Sequence, residues 1–86
     1  MKNRETLRVI IESIIDKQLE KSQPPETSQT YYRLIEKESF TEEEARMLIS
    51  RVIQIELFRL MRFAEPFNKV RFLRNLSKLP DLPSVD

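Results

Sequence analysis

Glycine, cysteine, histidine and tryptophan are all missing from this chain of 86 residues. Without cysteine there is no disulfide, and without histidine as well the usual zinc and iron sites lose their ligands. No metal and no cofactor is therefore expected. The lack of glycine removes phosphate-cradling loops, dinucleotide fingerprints and nucleophile elbows, because each needs close backbone approach or a positive φ. Nucleophilic catalysis fails for want of a base: the serines have no histidine or cysteine to partner them. Ser77 and Lys78 are sequence neighbours, which do not face each other on a helix. The chain reads as a non-enzyme.

Long apolar runs are missing too. The best candidate, Met47 to Ala64, is interrupted by Arg51, Glu56, Arg59 and Arg62, so it falls short of the roughly 18 apolar residues a membrane helix needs. Near the N-terminus the apolar residues alternate with Glu12 and Asp16, and no small-residue cleavage site follows. The expectation is a cytoplasmic protein with no membrane partner.

What is present is a folded composition, 40% hydrophobic and 34% charged with a net charge of +1. A chain this short buries about two-thirds of its unfolded surface, so its stability must come from good helix packing or self-association. Leu7, Ile10, Ile11, Ile14, Ile15 and Leu19 follow the i, i+3, i+4 rule and predict a first helix over 4–21. Asn3 is its expected N-cap, and Glu5 lies in the first turn, where the helix dipole favours negative charge. Glu12, Asp16 and Glu20 form an acidic ridge expected to face solvent.

Pro24-Pro25-Glu26 ends the connection and opens a second helix, with Tyr31, Leu34 and Ile35 inward and an end near Lys37. Thr41 and Glu44 have the spacing of a capping box, and Phe40 that of a hydrophobic staple. They open a third helix that runs to about Ala64. Its first half carries one stripe, Ala45, Leu48, Ile49, Val52 and Ile53. Its second half is apolar nearly all round, which implies burial on every side. Pro66 is expected to restart the chain as a short fourth helix with Phe67, Val70, Phe72, Leu73 and Leu76. The prolines after Leu79 predict an extended, loose tail. The fold class is all-α: an antiparallel bundle of three main helices plus a short fourth, one domain over 1–78 and a tail over 79–86.

Three sets of residues are candidates for function. Ile55, Leu57, Phe58, Leu60 and Met61 cannot all enter one small core, so they are the expected interface of a homodimer or of another protein partner. Glu56 lies in line with Ile49 and Val52; a carboxylate buried there needs a counterion, expected to be Arg59, Arg33 or an arginine of a partner chain. The charge is also split, −3 over residues 1–45 and +4 over residues 46–86. Arg59, Arg62, Lys69, Arg71, Arg74 and Lys78 lie among Phe58, Phe63, Phe67 and Phe72, a pattern that also suits nucleic acid. The near-neutral total favours the interface reading, because phosphate contacts need a concentrated basic surface.

Gln18-Leu19, Gln23-Pro24-Pro25, Tyr32-Arg33-Leu34 and Glu44-Ala45 together resemble a bacterial helical family, domain-of-unknown-function family 1841. A similar module occurs in uncharacterised proteins beside a SEC-C zinc-binding motif. The resemblance covers residues 7–78 through packing and turn positions, and it implies an all-helical fold with no established activity. That family carries histidines at the positions of Arg8, Glu12, Glu43 and Met47, so no metal role carries over to this chain. Asp16 matches an acidic family position.

Overall fold

Four helices follow one another in the computed structural model, which describes the backbone of residues 2–83 and the side chains of residues 6–83: α1 (Lys2–Lys21), α2 (Pro25–Glu36), α3 (Glu42–Phe63) and α4 (Lys69–Lys78). No strand occurs among the described residues, and no helix there is long and apolar enough to cross a membrane. The all-α bundle expected from periodicity is the observed architecture. The expected cap at Asn3 and the first-turn charge of Glu5 concern side chains outside the described residues, as do Ser84, Val85 and Asp86.

The core lies where the four helices meet. Ile11 and Ile15 of α1, Leu34 of α2, Ala45, Ile49, Val52 and Ile53 of α3, and Phe72 and Leu76 of α4 are its buried members. Each of these side chains larger than alanine contributes about 1.5–3 kcal/mol on leaving water. Leu7, Ile14 and Leu19 of the predicted α1 stripe are only partly buried, and Ile10 is exposed.

Caps set the helix boundaries. Thr41 Oγ1 accepts from the Glu44 amide at 3.0 Å, and Glu44 Oε1 accepts from the Thr41 amide at 2.9 Å, completing the predicted capping box. α4 begins at Lys69, not near Pro66 as expected. The Oδ1 of Asn68 accepts from the Arg71 amide at 2.9 Å and so takes the N-cap, leaving Phe67 outside the helix and exposed. With no glycine available, left-handed backbone falls to Ser22, Ser39 and Ala64, at φ of 50°, 62° and 55°. At Ala64 this closes α3 with a hydrogen bond donated by the Glu65 amide to the Arg59 carbonyl, at a steric cost of about 1 kcal/mol.

Two partly buried polar links lie beyond what periodicity shows. Thr27 is fully buried and donates to Gln18 Oε1 at 2.8 Å, tying α2 to α1. Arg33 pairs with Glu38 and also donates to the carbonyls of Leu79 at 2.8 Å and Leu76 at 3.2 Å, satisfying the C-terminal end of α4. That grip corrects the expected boundary of the tail. Leu79 is 1% exposed and belongs to the core, whereas Pro80, Asp81 and Leu82 are exposed.

Candidate functional site

The second half of α3 carries more apolar side chains than the four-helix core can accept, and the structure sorts them individually. Ile55 is buried at 6% exposure, beside Leu82 and Pro83 of the tail, so it is not an interface residue as expected. Leu57 is half-buried and packs on the core. Phe58, Leu60, Met61 and Phe63 remain exposed, at 43%, 51%, 68% and 54%. The expectation that this half is buried on every side therefore fails within one chain. Ala45, Ile49, Val52 and Ile53 share one core with residues of α1, α2 and α4, whereas Phe58, Leu60, Met61 and Phe63 lie outside it.

Of these, Phe58 and Met61 border a trough between α3 and the N-terminal half of α1. Its apolar end, about 440 Å³, is lined by Leu7, Ile11, Leu57, Phe58 and Met61, with Gln54 and Arg62 as the polar members. The rings of Phe58 and Phe63 meet edge to face with centroids 6.0 Å apart, extending the apolar surface around α3. Towards the start of α3 the trough continues through Gln54 into a more polar stretch of about 1180 Å³ between Arg8, Glu12, Glu43, Arg46 and Met47. Arg8, Glu12, Glu43 and Met47 thus lie along one trough. Among the described residues, no group of three or more His, Cys, Asp or Glu side chains is placed to hold a metal ion.

The acidic ridge of α1 does not face only solvent. Arg46 of α3 bridges Glu12 at 2.6 Å and Asp16 at 2.7 Å, which pins the two helices side by side in opposite directions. These carboxylates are partly exposed, so each pair contributes at most about 1 kcal/mol.

Glu56 is 6% exposed and has a counterion, as its position demands, but the counterion is neither Arg59 nor Arg33. Arg71 of α4 grips it in a two-pronged pair, Nε to Oε2 at 2.7 Å and Nη2 to Oε1 at 3.0 Å, and the Asn68 amide adds a bond to Oε1 at 2.9 Å. Burial pushes the Glu56 carboxyl up. The Arg71 hydrogen bonds, the Asn68 amide and the charges of Arg71 and Arg59 outweigh burial and hold it below the ordinary carboxylate range. The pairing is not legible in sequence because the partner lies 15 positions on, across a connection that runs to Asn68 instead of ending at Pro66.

This network alters the basic cluster. Arg71 is committed to Glu56, and Arg59 donates to both oxygens of Glu65 at 3.3 and 3.2 Å while lying 5.9 Å from the Phe63 ring centre. Arg62, Lys69, Arg74 and Lys78 are exposed. Four of the six proposed nucleic-acid contacts are therefore open to solvent, and two serve the α3–α4 elbow. Compared with protein-family models, curated proteins and solved structures, the chain shows no match.

Proposed function

We propose that this protein is a helical interaction module that performs no reaction of its own and self-associates through the second half of α3. One observation carries the reading: Phe58, Leu60, Met61 and Phe63 stay 43–68% exposed on a helix whose first half is packed into the core. Contiguous apolar surface on a small domain usually marks an interface. The trough beside Phe58 and Met61 adds the concavity that lets side chains of a partner interdigitate instead of resting on a flat surface.

The basic second half of the chain supports nucleic-acid binding less well, because Arg59 and Arg71 are held by Glu65 and Glu56. Size-exclusion chromatography with light scattering, recorded at 260 and 280 nm, separates the two readings. Self-association predicts a mass near twice the 10.3 kDa of one chain, with no excess 260 nm signal. A monomer at all concentrations contradicts it, and co-eluting nucleic acid moves the function to the basic surface.

A further inference from the structure

We propose that the occupant of the α3 face is a second copy of the chain lying antiparallel along α3, so that the second half of one α3 packs on the first half of the other, an inference that rests on the self-association proposed above. The argument starts from exposed side chains that one chain leaves unused. Glu43, in the first turn of α3, and Arg62, in its last, border opposite ends of the trough. Both are exposed, and among the described residues neither makes an ion pair or hydrogen bond. Met47 is 58% exposed in the polar stretch of the trough, and Phe58 is 43% exposed in the apolar stretch.

One twofold axis, placed level with the peptide between Val52 and Ile53, accounts for all four. It sets Glu43 against Arg62 of the second copy, and Arg62 against its Glu43. The same operation sets Met47 against Phe58, a sulfur–aromatic contact, because both pairs are centred on the same point of the sequence. Arg51, also exposed on this face, falls beside Gln54 of the second copy, whose amide oxygen can accept from the guanidinium. The antiparallel order also opposes the two helix dipoles. Arg46 and Arg59 come level with each other, but each is already neutralised within its own chain, by Glu12 with Asp16 and by Glu65. A parallel pair would place Glu43 on Glu43 and Arg62 on Arg62, like charges at both ends of the contact.

Charge reversal tests the geometry, with dimer dissociation constants from sedimentation equilibrium and helicity from circular dichroism. Both residues are exposed, so Glu43→Arg and Arg62→Glu should each keep the fold and weaken the dimer roughly tenfold. The double variant Glu43→Arg with Arg62→Glu should return to within about threefold of wild type, because each reversed charge again meets its opposite. A double variant as weak as either single one, or single variants without effect on a dimeric protein, overturns the antiparallel contact and leaves self-association standing. A wild type that is monomeric at every concentration overturns both. The cysteine-free chain permits a second readout: Arg51→Cys mixed with Gln54→Cys should form the mixed disulfide faster than either variant pairs with itself. Equal rates contradict the register.

Discussion

The two halves of α3 share one helix and one composition class, yet they have opposite fates. Over residues 42–53, Ala45, Ile49, Val52 and Ile53 are buried, and charged side chains occupy most of the remaining surface. Over residues 54–63, Ile55 and Glu56 are buried while Phe58, Leu60, Met61 and Phe63 are not. What differs is the cover. In the second half, Glu56 is paired with Arg71 of α4 and Phe58 and Met61 border the trough against α1, while Leu60 and Phe63 stay exposed. A helix apolar all round needs neighbours all round, and within one chain the second half of α3 does not have them.

The sharpest way to break the comparison is truncation in each half. Ile49→Ala should cost about 3–4 kcal/mol of unfolding free energy, since Ile49 is fully buried and leaves a cavity. Met61→Ala, 68% exposed, should cost less than about 0.5 kcal/mol in the isolated monomer. Urea denaturation measures both, and comparable losses would show that the second half is core after all.

Glu56 is the buried charge of that half, and its removal comes next in size. Glu56→Gln should cost about 2–3 kcal/mol, because it leaves the Arg71 guanidinium, 17% exposed, without its counter-charge. The pH dependence follows from the direction of the Glu56 shift. A carboxyl held below its ordinary value binds its proton less readily folded than unfolded, so its contribution is complete above the unfolded range, near pH ~4.3, and drains as pH falls towards the folded value. Acid titration of wild type should show that loss, and the Gln variant should lack that portion of it. An identical acid profile for the two would remove Glu56 from the account of the α3–α4 elbow.

Much of this architecture was legible before any coordinates. The capping box at Thr41 and Glu44, the α1 stripe through Ile11 and Ile15, and the proline start of α2 are local signals within one turn of helix, so sequence suffices. What could not be read depends on contacts between distant segments. Arg33 reaching the carbonyls of Leu76 and Leu79, Thr27 bonding Gln18, and Arg71 gripping Glu56 all join residues at least nine positions apart. Pro66 is a louder start signal than the Asn68 cap, and the position of Arg71 depends on which of the two opens α4. Of the five candidate interface residues, Phe58, Leu60 and Met61 are exposed and Leu57 is half-buried, while Ile55 turns inward beside the tail, a difference that periodicity alone does not separate.

Smaller effects mark the ends of α3. Thr41→Ala should lose about 1 kcal/mol with the capping box, and no change would mean that the first turn is held by packing alone. Ala64→Gly should gain about 0.5–1 kcal/mol by relieving the left-handed backbone at the other end, and a loss would contradict that conformation. Thermal denaturation of the two variants under one buffer ranks them.

The most direct test of the central claim is the solution mass of Met61→Glu against wild type by light scattering, with helicity checked by circular dichroism. A folded Met61→Glu monomer beside a wild-type dimer is the predicted result, because a carboxylate at this exposed site leaves the core untouched and charges the contact. Equal masses for the two proteins would contradict the assignment of this face as the surface on which the module associates.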